Sequence, residues 1–185
     1  LDEALWSRAY ENRSLTIGYK QTISQPYIVA KMTELLVSHT KSRGKVFESI
    51  LEIGSGCGYQ SAVLSFFSEE VHAIERIKPL VQKSRENLSQ LKINNVLVKH
   101  GDGYQDWEKE KKYDGIICAA APREYPNDLI SVLNNDAKLV IPVGGVTQKL
   151  NMITKINNGE IKEEEFDDVS FVPMLAGKSD DGNDV

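Results

Sequence analysis

Three carboxylates and a run of glycines are the groups in this 185-residue chain best placed to do chemistry. Ile50-Leu51-Glu52-Ile53 is an apolar run that leads into Gly54-Ser55-Gly56-Cys57-Gly58 and then into Tyr59-Gln60, where a helical pattern begins. Glycines let a backbone turn at positive φ and approach a ligand without Cβ clashes, so a strand–glycine loop–helix junction forms a ligand cradle. The spacing is Gly-x-Gly-x-Gly rather than the Gly-x-Gly-x-x-Gly that aims a helix N-terminus at a pyrophosphate. Such a loop suits a ligand with an amino-acid end and a cationic sulfur, held by shaped backbone contact with an acid such as Glu52 nearby. Glu75 ends the next apolar run, 21 positions after Gly54. At about that distance in α/β nucleotide sites, an acid accepts hydrogen bonds from ribose hydroxyls. Asp102, in Gly101-Asp102-Gly103, follows the third run and could accept from an exocyclic adenine amine. Each piece also has a plainer reading: a tight turn, a helix-capping Glu, a common Asp-Gly turn. Together they describe a site for an adenosine-containing molecule.

The elements that must position these groups alternate in type. Apolar runs at Ser49–Ile53, Val71–Ile74, Val96–Val98, Gly115–Cys118 and Leu139–Val143 are separated by helical patterns at Tyr59–Phe67, Pro79–Leu91 and Pro126–Leu133. Continuous apolar runs are strands buried on both faces, which predicts a parallel α/β sheet covered by helices. Pro142 falls at the end of its run, where it need not break a central ladder. All three acids then lie at the carboxyl ends of consecutive strands, where open α/β sheets bind ligands. After Gly144-Gly145, Leu150–Ile156 and Glu165–Val172 joined through Asn157-Asn158-Gly159 predict an antiparallel hairpin. Upstream, Tyr27, Ile28, Ala30, Met32, Leu35 and Leu36 fit one side of a helix starting at Pro26. Residues 1–26 show no clear period and are expected to form a surface segment, Lys41 to Lys45 a basic connection, and residues 178–185 a disordered tail.

Length and composition fit a single domain over residues 1–185. No apolar run approaches the roughly 20 residues that span a bilayer. A formal net charge of −5 argues against a partner with a phosphate backbone. Cys57 and Cys118 are the only cysteines, too few for a thiolate-rich metal site or a disulfide framework, and His39, His72 and His100 show no metal spacing. The sequence therefore predicts no metal, no nucleic acid, no membrane and, without a signal-peptide pattern, a cytoplasmic monomer.

With these residues in view, the chain resembles the class I S-adenosylmethionine-dependent methyltransferases, and more narrowly the protein-L-isoaspartate O-methyltransferase family. Leu51 to Gln60 is similar to that family's first motif. Tyr113-Asp114-Gly115-Ile116-Ile117 with Ala119-Ala120-Ala121-Pro122 matches the second, and Leu139-Val140-Ile141-Pro142-Val143-Gly144 the third. Gln21-Thr22-Ile23-Ser24-Gln25-Pro26 is the segment most particular to the family, and Phe171-Val172-Pro173 follows its pattern near the C-terminus. Cys57 departs from the more usual Ser or Thr, and the N-terminal helical segment usual in the family is expected to lie outside these residues.

The resemblance implies a Rossmann-like, mostly parallel sheet with helices on both faces and C-terminal antiparallel strands. It implies methyl transfer from S-adenosylmethionine, leaving S-adenosylhomocysteine, to the free α-carboxylate of L-isoaspartyl residues in damaged proteins and peptides. The cofactor would be held by Gln21, Thr22, Ile23 and Ser24, by Glu52 and the loop Gly54, Ser55, Gly56, Cys57, Gly58, Tyr59 and Gln60, by Glu75 with Arg76, and by Asp102 with Gly103. Thr22, Ser24, Pro26 and Val172 would meet the peptide. Ser24 stands at the family's active-site serine, where its hydroxyl would steer one carboxylate oxygen while the other attacks; Ser24 and Thr22 also stand where a helix cap would. The alternative kept open is a class I methyltransferase acting on a different small molecule or protein. A nicotinamide-dependent oxidoreductase is opposed by the glycine spacing and the hairpin-like end.

Overall fold

The computed structural model describes residues 1, 3–38, 47–156 and 160–182. A 3-10 turn, Glu3–Arg8, precedes a two-stranded antiparallel hairpin of β1 (Leu15–Gly18) and β2 (Gln21–Ile23). Then follow α1 (Pro26–Val37), β3 (Phe47–Ile53), α2 (Tyr59–Leu64), β4 (Ser68–Glu75), α3 (Lys78–Gln90), β5 (Val96–His100), β6 (Tyr113–Cys118), α4 (Asn127–Ser131), β7 (Leu133–Gly144), β8 (Gln148–Lys155) and β9 (Ile161–Val169). The seven strands β3 to β9 form one sheet in the order β5-β4-β3-β6-β7-β8-β9. Pairing is parallel from β5 to β7 and antiparallel from β7 to β9. This is the predicted sheet, with its antiparallel end.

Strand alternation sorts the core. Leu51 and Ile53 face a cluster with Ile116, Leu139 and Leu129 of α4. Ile50 faces the opposite side, with Met32 and Leu36 of α1 and Leu64 of α2. On that same side α3 lays Val81 and Leu88 against Ala73 and Val98. Both sheet faces are thereby covered, which is why the parallel strands carry unbroken apolar runs. Pro142 lies beyond Val140, the last β7 residue paired with β6, so its missing N–H leaves no gap in that ladder.

The order β3, β4, β5 runs outward on one side, and the chain then returns to place β6 on the other side of β3. The crevice at that reversal is where such sheets bind ligands. The peptide groups meet closely there: Ala119 N–H donates to the Ile53 carbonyl at 2.8 Å, and Gly54 N–H to that of Ile74 at 2.8 Å.

Three expectations change. Residues 1–26 hold a regular hairpin, turned by Tyr19 and Lys20 at φ 53 and 51. β9 begins at Ile161 and ends at Val169, earlier than the predicted Glu165–Val172. Residues 178–182, expected to fray, pack instead: Ser179 is buried and forms a parallel bridge with Ile77. The Lys41–Lys45 connection, His39 and the joint Asn157-Asn158-Gly159 lie outside the described residues.

Candidate active site

The glycine loop turns as its composition requires, with Gly54, Gly56 and Gly58 at φ 85, 53 and 89. Gly58 is the tightest: a Cβ there would lie 2.7 Å from the Ser84 hydroxyl of α3. Glu75, at the end of β4, braces the loop from below. One of its carboxylate oxygens accepts from Gly56 N–H at 2.8 Å and the other from Ile77 N–H at 2.9 Å. Burial pushes its carboxyl up from the ordinary range, and those backbone donors pull it part of the way back.

Glu52 sits one layer deeper. It is fully buried, its Oε2 accepts from the Ser61 hydroxyl of α2, and its Oε1 has no partner among the described residues. Desolvation lifts its carboxyl to about 8, against the pull of the Ser61 hydrogen bond and helped by the nearby Glu75. Ser55, in the loop itself, is also buried with an unpartnered hydroxyl. Unpaired buried polar atoms are rare in native proteins, and a polar ligand or water at the loop would satisfy them.

Two cavities open at this rim. The first, about 70 Å³, is walled by Gln21, Thr22, Gly54, Gly56, Glu75, Arg76 and Gly103, with Ile77, Leu80, Ala119 and Met174 among its apolar lining. The second, about 320 Å³, is walled by Ser14, Thr22, Ser24, Gln25, Asp168, Ser170 and the chain at Phe171-Val172. Thr22, Ala119 and Val172 belong to both walls, so the two cavities meet. Ser24 does not cap α1: the N-cap residue is Gln25, and no side chain closes it.

The structure thus gathers Gln21, Thr22, Gly54, Gly56, Glu75, Arg76 and Gly103 around one cleft, with Val172 in the wall it shares with the Ser24 cavity. Other predicted residues lie elsewhere. Ile23, Cys57, Gly58 and Tyr59 line a groove on the far side of the loop, against α3. Gln60 is buried and donates to Thr33 Oγ1 at 3.0 Å, tying α2 to α1. Pro26 opens α1 outside both walls. Asp102 does not line the cleft, although its neighbour Gly103 does. Its buried carboxylate lies behind the cleft wall, accepting from Tyr104 N–H at 2.8 Å, Gly177 N–H at 2.8 Å and the Gln105 amide at 3.2 Å. Sequence reasoning missed Ser14, Asp168 and Ser170, and also Ala119-Ala120, whose position after β6 at a strand's carboxyl end was the available signal.

His72 packs edge-on against Tyr113 and lies 2.9 Å from Glu70, while His100 Nε2 is 2.9 Å from the Arg76 carbonyl. Among the described residues, no group of three His, Cys, Asp or Glu side chains is placed to hold a metal.

Comparison with known proteins decides the family. The model of the protein-L-isoaspartate(D-aspartate) O-methyltransferase family matches residues 1–179. The chain belongs to this family. The Marinobacter nauticus protein-L-isoaspartate O-methyltransferase 1 is 47% identical over 177 residues, covering 96% of this chain and 78% of that protein. The Aliivibrio fischeri enzyme of the same family is 47% identical over 178 residues, covering 96% and 82%. The Plasmodium falciparum family member, solved in complex with S-adenosyl-L-homocysteine, is 32% identical with a TM-score of 0.73, covering 90% of this chain and 81% of that one.

Proposed function

We propose that this chain repairs proteins by transferring a methyl group from S-adenosylmethionine to the free α-carboxylate of L-isoaspartyl residues. The observation that carries this reading is the meeting of two cavities at Thr22, Ala119 and Val172, one behind the glycine loop and Glu75, the other beside Ser24. When bound, S-adenosylmethionine supplies a methyl group on a cationic sulfur. The residues present fit it: glycines at positive φ for close backbone approach and Glu75 in the cleft wall for the ribose, while Glu52 and Ser55 lie buried behind that wall, each with a polar atom that has no partner among the described residues.

The peptide carboxylate is ionised at neutral pH, since such groups titrate near 4, so no general base is required. The chain's task is to position it, which can contribute roughly 7–11 kcal/mol in favourable cases. Ser24 donates one hydrogen bond to a carboxylate oxygen and leaves the other free to attack. A neutral donor suits this step, because strong charge pairing would stabilise the ground state and slow attack. Ser14 and Ser170 supply further hydroxyls in the same wall, and Lys149, 3.0 Å from Asp168, screens the one acid there. Recognition through such a wall and the backbone of 169–172 favours the bent isoaspartyl linkage over any particular side chain. Flexible damaged segments of many proteins therefore qualify as substrates.

The same reading keeps the protein a cytoplasmic monomer that acts without nucleic acid or membrane. Among the described residues no helix is long and apolar enough to cross a bilayer. The test is Ser24→Ala in steady-state methylation of an isoaspartyl peptide. Loss of one hydrogen bond to a charged group predicts a fall in kcat/KM of about 10- to 100-fold, with affinity for S-adenosylhomocysteine unchanged. Wild-type turnover in the variant overturns the role of Ser24.

A further inference from the structure

The cleft beneath the glycine loop encloses only about 70 Å³. Sites for drug-sized ligands measure roughly 300–1,000 Å³, so a nucleoside enters only if a wall moves. The strand-end wall is pinned by peptide hydrogen bonds at Gly54 and Ala119. The opposite wall is Pro173, Met174 and Leu175, the beginning of a strap that leaves β9 and crosses the cleft. At its near end the strap is hinged on Ala121, which donates to the Val172 carbonyl and accepts from Met174 N–H, each at 2.8 Å.

Its far end is held by a catch. Gly177, at φ +81, donates its N–H to Asp102 at 2.8 Å and accepts at its carbonyl from Arg76 Nε at 3.2 Å. Ser179 donates to the Arg76 carbonyl at 2.7 Å and accepts from Lys78 N–H at 2.9 Å. Gly182 is buried against the ring of Tyr19 in the β1–β2 turn, its N–H bonded to the Ser179 hydroxyl at 2.9 Å. The catch thus ties the strap both to the start of α3 and to the hairpin that carries Gln21 and Thr22. Its ion pairs, the exposed Lys78–Asp180 and the longer Lys178–Asp106 at 3.7 Å, hold little. Two of the residues predicted to bind the cofactor, Arg76 and Asp102, therefore grip Gly177 from opposite sides. The family match ends at residue 179, within the catch.

We propose that residues 172–182 form a gate over the cofactor cleft, which unlatches at Gly177–Gly182 to admit S-adenosylmethionine or release S-adenosylhomocysteine and then recloses. The inference rests on the reading of the cleft as the cofactor site. Cofactor exchange, rather than methyl transfer itself, is the step that the catch controls. A chain ending at Ala176 removes the catch, and Gly177→Pro removes the N–H to Asp102 while forbidding the left-handed φ.

The test measures S-adenosylhomocysteine dissociation by stopped-flow displacement, and single-turnover methylation at saturating donor, in the full chain and both variants. The expected result is dissociation faster by at least about tenfold in each folded variant, with single-turnover rates within about twofold of the full chain. Unchanged dissociation in a folded variant overturns the gate. Should neither variant fold, amide exchange in the full chain decides: the Gly177 and Ser179 amides are expected to slow at least about fivefold on saturation with S-adenosylhomocysteine. Equal exchange with and without ligand refutes the proposal. A full chain that does not bind S-adenosylhomocysteine at all refutes the cofactor reading, and the gate falls with it.

Discussion

Replacing Glu52 by Gln removes a fully buried carboxyl while keeping its volume and a partner for Ser61. Burial raises that carboxyl from 4.5 to about 8 in the folded chain. A folded value above the unfolded one means that the native state keeps a proton which the unfolded chain releases between those two pH values. The stability tied to that proton is complete below the unfolded value and is lost as pH rises through the folded one. The slope is about 1.4 kcal/mol per pH unit, accumulating to the order of 5 kcal/mol above the folded value. Glu75 titrates in both proteins, so to first order it cancels when the two are compared. Urea unfolding at about pH 5.5, 6.5 and 7.5 should show wild type losing about 3 kcal/mol relative to Glu52→Gln across that range. A stability difference that stays constant with pH would refute the assignment of a buried, protonated Glu52. Binding adds a second arm. On the proposed cofactor reading, a ligand ammonium placed near Glu52 would favour its ionised form, so S-adenosylhomocysteine affinity should rise with pH in wild type and stay flat in the variant.

Other substitutions separate site from scaffold. Glu75→Gln replaces an acceptor-only group with one that also donates, and should weaken S-adenosylhomocysteine binding by about 10- to 100-fold in calorimetry. Gly58→Ala forces a side chain onto φ 89 and into the Ser84 hydroxyl. It should lower the thermal midpoint through a loss of about 1–3 kcal/mol. Asp114→Ala deletes the acceptor for Glu48 N–H, Ser49 N–H and the Asn134 amide, which join β3, β6 and β7 away from the cleft. Denaturant unfolding should show a cost of about 2–4 kcal/mol with KM for donor and peptide unchanged.

The central sheet was legible because strands buried on both faces leave unbroken apolar runs, as Ser49–Ile53 and Gly115–Cys118 do. The hairpin of β1 and β2 was not, because its turn uses Tyr19 and Lys20 at positive φ where Asn-Gly would have announced it. β7 reaches back to Leu133 through a register irregularity opposite Tyr113–Gly115, with Asp136 at φ 62, so its first half lacks a strand pattern. Within the site, Gly54, Gly56 and Glu75 were readable because their spacing is local to one β-loop-α-β unit. The tie of Asp102 to Gly177 was not, for the opposite reason: Gly177 lies 75 positions away, and no local pattern connects them. In the second cavity Thr22, Ser24 and Val172 were named from sequence, but Ser14, Asp168 and Ser170 were not, since they come from opposite ends of the chain and meet only through the fold.

The most direct measurement is methyl transfer from S-adenosylmethionine to two peptides of one sequence, one with an L-isoaspartyl linkage and one with the normal aspartyl linkage. The geometry predicts rapid esterification of the first, at its α-carboxylate, and none of the second. Equal labelling of both peptides, or of neither, would contradict a site built to hold an isoaspartyl carboxylate beside Ser24.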